Sequence, residues 1–555
     1  MGLVRVLADQ YLQDFCALEP SYATYYGQAG HDHELPDLSP DGVAARVDLA
    51  RLALAAIERA QADDVEDRRC ADLAIDRLGL DVEQFEAGEH LRALRSSGSP
   101  VQGLRECFDL MPTETEEHWA TVVQRMNAVP EAYRQYRASL EAGMSVGLMA
   151  PVRQALACAS QLSTWAGAEP GAVAWFDSFI APGPELLQQQ LHAAAQRASA
   201  GLADTATWLR TVYASAAEGT ADAVGGERYR LQARVFLGAV VDATEAYDWG
   251  WGELERIETD MRATADEILP GESLPDVFAH LDRYGPAIEG EQNLRSFLQD
   301  LVDHTIDALG SEHFTIPEPL RRCEVMLAPP GPAAQYYTPP TPDFSRPGRT
   351  WNPTNGRTHF PIWNEVSTCY HEAVPGHHLQ LAQWVHRADQ LSRYQSGVEV
   401  SGTIEGWALY AERLMDELGY LTDPGRRLGY LVAQQLRATR VIVDIGMHHE
   451  LTFPAGQPFH AGEEMTAELG REFLRAHAGS NMDFLESEWL RYLGLPGQAI
   501  SYKLGERVWR DGREAARRRV TSQGRTFDLR AWHAEALDMG SVGLDALAAV
   551  LPTLG

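Results

Sequence analysis

The stretch Tyr370-His371-Glu372-Ala373-Val374-Pro375-Gly376-His377-His378 decides how the chain around it has to fold. It opens like the HExxH pattern, in which two histidines one helical turn apart share a face and a glutamate activates water. The second histidine, however, does not stand four residues after the first, where Pro375 is found. Six helical residues advance about 600° and rise about 9 Å, so an unbroken helix points His371 and His377 to different sides. His371 and His378 share a face but lie about 10.5 Å apart along the axis. Neither pair holds one ion from a continuous helix. Pro375 cannot donate to the carbonyl of His371, and Gly376 takes backbone conformations closed to other residues. A bulge at Val374-Pro375-Gly376 is therefore expected, looping out two residues and returning His377 to the ligand position, with His378 as the alternative.

A catalytic zinc site needs a third protein ligand beside a water. The next polar helix, Gly402-Thr403-Ile404-Glu405-Gly406-Trp407-Ala408-Leu409-Tyr410-Ala411-Glu412, offers Glu405 among apolar neighbours. Glu412 follows seven residues later on the same face and is placed to orient a ligand histidine. The expected metal set is thus His371, His377 and Glu405 around Zn2+, with Glu372 as the catalytic carboxylate.

Outward from this segment the pattern is mainly α. Val43 to Asp63, Glu116 to Leu140 and Leu186 to Ala217 repeat apolar residues every three or four positions, and Ser99-Pro100 and Pro182-Gly183-Pro184 punctuate them. No fixed-period repeat is present. Between Thr315 and Thr368 prolines crowd the chain, from Pro317 and Pro319 through Pro329, Pro330 and Pro332 to Pro361. Short strands are expected at Glu324 to Leu327, Thr350 to Asn352 and Thr358 to Ile362; this proline density disfavours central strands and permits an edge strand. The expected division is an N-terminal helical region, residues 1–310, and a catalytic region, residues 311–555, in which short edge strands precede helices. A substrate cleft belongs between the two.

The formal charge of −32 on 555 residues argues against nucleic acid, which needs a basic footprint. No apolar run reaches the roughly 20 residues of a membrane span. Met1 to Phe15 carries Arg5, Asp9 and Asp14 and reads as an amphipathic helix, not a signal peptide. The six cysteines are dispersed without a CxxC pair, which reads as free thiols in a cytoplasmic protein. Lys503 is the sole lysine among 47 basic residues, marking a place where a compact ammonium is preferred to a planar guanidinium.

Two further segments carry polar residues fit for catalysis. In Leu436 to Glu450, Asp444 and His448 stand one turn apart, so the carboxylate can steady the imidazole. In Arg491 to Lys503, Pro496-Gly497 reads as a turn opening a helix. Tyr492 or Tyr502 is placed to donate to an oxyanion. Arg491 or Lys503, with Gln498 between them, is placed to hold a substrate carboxylate.

Together these segments resemble the bacterial family known as domain of unknown function 885, whose pattern looks like HExxPGHH, EGWAxYxE and RY-x-x-x-PGQAxxYKxG. His371 to His378, Glu405 to Glu412 and Arg491 to Gly505 match in that order, and Tyr336 to Asn352 is similar to the family's approach to the motif. The resemblance implies a large multi-helix fold related to glutamate-ligated zinc metallopeptidases. The expected activity is hydrolysis of a peptide or small amide, with Glu372 taking the proton of water and His448, Tyr492 or Tyr502 stabilising the oxyanion. An extended substrate would pair along an edge near Thr350 to Asn352. A zinc esterase and a metal-stabilised binding scaffold are the alternatives.

Overall fold

A computed structural model of the chain describes residues 1–169, 171–328, 334–479 and 482–555, with the side chain of Ser311 outside that set. Helix accounts for 67% of the residues and strand for 4%, so the fold is mainly α. The helices that build the site are α1 (Leu3–Leu18), α2 (Pro20–Tyr25), α3 (Ala243–Ile268), α4 (Glu365–Glu372), α5 (His377–His386), α6 (Ser401–Glu417), α7 (Pro424–His449), α8 (Met482–Gly494) and α9 (Ser501–Ser522).

The strands are β1 (Ala287–Glu289), β2 (Cys323–Leu327), β3 (Tyr336–Thr338), β4 (Gly348–Asn352) and β5 (His359–Pro361). β2, β4 and β3 form one sheet in that order, with β2 parallel and β3 antiparallel to β4. This corrects the expectation that Thr350 to Asn352 forms an edge. Thr350 pairs with Val325 on one side and Tyr337 on the other, so β4 is central. The physical reason lies at its ends: Pro347 and Pro353 bracket the strand, and no proline within it removes a ladder donor. Among the described residues, the free edge on the antiparallel side belongs to β3. Pro329, Pro330 and Pro332 lie outside the described residues.

The main hydrophobic core gathers residues from Tyr229 to Leu551, including Leu254, Val302, Trp407, Ile442 and Trp509. Packing therefore runs across the expected boundary between residues 310 and 311. The antiparallel pairing of β1 with β5 crosses it too. A second core, from Leu38 to Ala217, joins the earlier long helices. A third packs α1 against the helices that follow it, and reaches Tyr394 and Val400 just ahead of α6.

Side-chain caps set the starts of several helices. Asp423 accepts from the amide of Arg426 at 2.9 Å with Pro424 at the first position of α7. α6 and α9 pack almost backbone to backbone. A Cβ on Gly505 would lie 2.0 Å from the Gly402 carbonyl oxygen and 2.6 Å from the Cα of Gly406. Only glycines on both faces allow that approach, which fixes the helix carrying Glu405 against the helix carrying Tyr502. Among the described residues, no helix is long and apolar enough to cross a membrane.

Candidate metal centre

α4 ends at Glu372, and α5 starts five residues later at His377. The break is larger than the expected bulge: Ala373 to Gly376 leave helical geometry and two separate helices result. Gly376 packs under the end of α4, where a Cβ would sit 1.9 Å from the His371 carbonyl oxygen. Its amide donates to Tyr370 O at 3.0 Å. The Trp407 indole donates to Pro375 O at 2.8 Å, fastening the turn to α6.

This fold-back brings His371, His377 and Glu405 together, with one ligand-type atom from each within 4.8 Å of the others. Glu405 Oε2 lies 3.3 Å from His371 Nε2 and 3.6 Å from His377 Nε2. That oxygen is buried, and neither contact is aligned as a hydrogen bond. Two imidazole nitrogens and an orphaned carboxylate oxygen converging on one point form a donor set that suits zinc. His371 Nδ1 donates to Glu412 Oε1 at 2.8 Å, and Ser367 Oγ donates to the other Glu412 oxygen at 2.5 Å. The bond to Glu412 turns His371 Nε2, with its lone pair, toward the cluster.

The electrostatics are those of a site short of positive charge. Burial alone would lower the His371 pKa, but the neighbouring carboxylates Glu405, Glu412 and Glu372 raise it to about 10. Burial opposes ionisation of Glu405, yet His371 and His377 hold its carboxyl well below the usual range. Glu372 is buried beside them, and burial moves its pKa upward against the pull of both histidines. Among the described residues its carboxylate accepts no hydrogen bond.

His378 points elsewhere. Its Nδ1 accepts from Tyr337 Oη and its Nε2 donates to Leu320 O, both at 2.9 Å. Burial lowers its pKa to about 4, leaving a neutral ring with both nitrogens engaged.

Of the oxyanion candidates, the structure brings Tyr502 to the cluster. Its ring lies 6.5 Å from that of His371, nearly parallel, and the Arg440 guanidinium stacks on it at 4.7 Å. Burial and the Glu405 charge raise its pKa to about 12, so the phenol keeps its proton. Tyr492 is spent otherwise: its hydroxyl donates to Glu488 at 2.7 Å and accepts from Arg440 at 2.8 Å. The expected Asp444–His448 pair is replaced by other bonds. His448 Nε2 donates to Tyr492 O at 3.0 Å and stands 3.9 Å from Asp444. Asp444 accepts from Tyr229 Oη at 2.6 Å and Gly497 N at 2.9 Å. α7 presents both residues to the packed interior behind α8.

The expected carboxylate holders are also internally paired. Arg491 bonds both Glu488 oxygens and Gln498 Oε1. Lys503 is wholly buried; its Nζ reaches Glu253 at 2.9 Å, Gln434 at 2.5 Å and Glu506 at 2.7 Å. Three acceptors for three ammonium protons explain why a lysine stands here, and they correct its assignment to substrate. Sequence reading gave no separate role to Arg440, which touches both tyrosines, and missed Ser367, which holds Glu412. Ser367 lies one turn before His371, the signal that was available.

Two solved structures share this fold over nearly the whole chain. One is described as the putative lipoprotein from Colwellia psychrerythraea, with a TM-score of 0.82, 20% identity, and coverage of 99% of this chain and 98% of that one. The other is a putative lipoprotein of unknown function from Shewanella oneidensis, with a TM-score of 0.72, 18% identity, and 98% of each chain covered. No curated protein matches the sequence. The sequence profile of the bacterial proteins of unknown function DUF885 matches residues 20–551, and the chain belongs to that family.

Proposed function

We propose that the protein is a zinc-dependent hydrolase of peptide bonds, a metallopeptidase. The observation that carries this reading is the convergence of His371 Nε2, His377 Nε2 and the Glu405 carboxylate beside Glu372, which accepts no hydrogen bond among the described residues. Zinc held by these three residues would polarise the scissile carbonyl and acidify a water. Glu372 accepts the proton of the attacking water and passes it to the leaving nitrogen, a role its raised pKa favours. Tyr502, protonated at neutral pH, donates to the oxyanion. Glu412 holds His371 in the tautomer that leaves Nε2 free. All six cysteines are free and buried, which supports a reducing, cytoplasmic setting.

Metal analysis and a peptide-library assay on four proteins test this. Wild type should contain about one zinc and cleave peptides in a chelator-sensitive way. Glu372→Gln should keep the metal and lose about 10²–10⁴-fold in turnover. His377→Ala should lose the metal, whereas His378→Ala should keep it. Cleavage confined to non-peptide esters would sink the peptidase assignment. Unchanged function in Glu372→Gln would make the cluster a structural metal site.

A further inference from the structure

The mechanism leaves unused a cavity of about 950 Å³. Glu399 belongs to its wall. This residue stands two positions before α6, the helix that carries Glu405. From there the wall continues onto α2, whose Tyr22 and Tyr25 line the cavity together with the adjoining Tyr26. The three rings form a tight group, with centroids 6.4 Å apart for Tyr22–Tyr25, 6.0 Å for Tyr22–Tyr26 and 5.3 Å for Tyr25–Tyr26. Tyr22 and Tyr25 remain 48% and 52% exposed, unusual for large rings already clustered.

Tyr25 Oη donates to Glu399 Oε1 at 2.9 Å, tying ring and carboxylate into one unit. The other Glu399 oxygen has no bonding partner among the described residues, and the side chain is reached by solvent. Asp81 faces the same space. The arginines on the wall do not supply the missing positive charge. Arg105 pairs with Asp109 at 3.0 Å and stacks on Trp165 and Trp175. Arg77 is taken up by Asp76 and by the carbonyls of Val235 and Arg234.

Aromatic faces beside an uncompensated carboxylate attract organic cations, because ring quadrupole and charge act in the same direction. We propose that this cavity is a substrate subsite that takes a cationic group of a peptide, an ammonium or guanidinium, against Glu399 and the Tyr22–Tyr25–Tyr26 group. The inference rests on the hydrolase reading for the identity of the ligand as a peptide. The edge strand β3 adds to it: Tyr336 lies on the cavity wall, where an extended peptide can run along the free edge.

Calorimetry on the full-length Glu372→Gln protein, loaded with zinc, tests the subsite without turnover. The probes are pentaalanine peptides with lysine, glutamine or glutamate at the centre, each with a free or an acetylated N-terminus. The lysine peptide should bind about tenfold tighter than the glutamine peptide, and the glutamate peptide weakest. The preference should survive acetylation of the N-terminus, which assigns the cation to the side chain. Adding Glu399→Gln should level lysine and glutamine, Glu399→Asp should restore part of the preference, and Tyr22→Leu should weaken the lysine peptide alone. Equal binding of lysine and glutamine peptides, binding of none, or a preference unchanged by Glu399→Gln would overturn the proposal. Cation preference without zinc-dependent cleavage in wild type removes the hydrolase and keeps the subsite. Cleavage without cation preference does the reverse.

Discussion

Burial of single ionisable side chains is the strongest physical signal at the residue scale. His448 is wholly buried, and burial lowers its pKa to about 4 although the Tyr492 carbonyl, accepting from Nε2, opposes the shift. An unfolded histidine titrates near 6.5. Above that pH both states are neutral and the full stability is present. As pH falls from about 6.5 to about 4, the unfolded chain binds a proton that the folded protein refuses, and stability drains away by about 1.4 kcal/mol per pH unit. Glutamine at this position donates a comparable bond and does not titrate. Denaturant melts of wild type and His448→Gln should therefore diverge with acidification, the wild type losing ground at about that slope; a constant difference from pH 6.5 to 4.5 would show that His448 is not held neutral. His377 and His378 illustrate what one sequence can say about such residues. The spacing argument narrowed the ligand to these two, because Pro375 and Gly376 announce the break themselves. The choice between them depends on Tyr337 and Leu320, which take both nitrogens of His378 from elements 41 and 58 residues away. Lys503 is the same lesson at longer range. Its oddity was visible in composition, but its acceptors Glu253 and Gln434 lie 250 and 69 residues distant.

At the scale of elements, the site depends on how closely α6 and α9 approach. Glu405 and Glu412 come from one helix and Tyr502 from the other, so any widening moves Tyr502 away from the His371–His377–Glu405 cluster. Gly505→Ala places a methyl 2.0 Å from the Gly402 carbonyl, a contact that backbone movement alone can relieve. Overpacking of this kind costs about 1–3 kcal/mol. The variant should melt several degrees lower, keep its metal ligands, which α4, α5 and α6 supply without α9, and lose turnover through the displaced Tyr502. Unchanged melting and turnover would mean that the two helices are not held at this distance. The long helices were legible from their three- and four-residue periodicity, since that pattern is the packing itself read along the chain. β3 was not: three residues, Tyr336 to Thr338, are too few to establish a period. Its pairing with β4 rests on register across the sheet, not on local sequence.

At the scale of the whole molecule, the helices around the His371–His377–Glu405 cluster are finished by residues that precede the proline-rich segment. α3 lies along α7, where a Cβ on Gly250 would sit 3.1 Å from Val441 Cγ1. From the same helix Glu253 accepts from Lys503 at 2.9 Å and pairs with Arg413 at 3.1 Å. Lys503 is fully buried and Arg413 nearly so, and Glu506 is left as the one remaining carboxylate between two cations if α3 is removed. Breaking a buried ion pair by deleting one partner costs about 3–5 kcal/mol, a large share of a typical folding free energy of 5–15 kcal/mol. Loss of the apolar cover over Val441 and Ile442 adds to that cost. A fragment of residues 311–555 is therefore expected not to fold. Its circular dichroism should show helix without a cooperative thermal transition, and it should not retain zinc. A fragment of residues 226–555 restores α3 and the antiparallel partner of β5, and it should regain a cooperative transition. If residues 311–555 alone melt sharply with metal bound, the ion pairs to Glu253 are dispensable, and the core behind the metal centre closes without the helices before it.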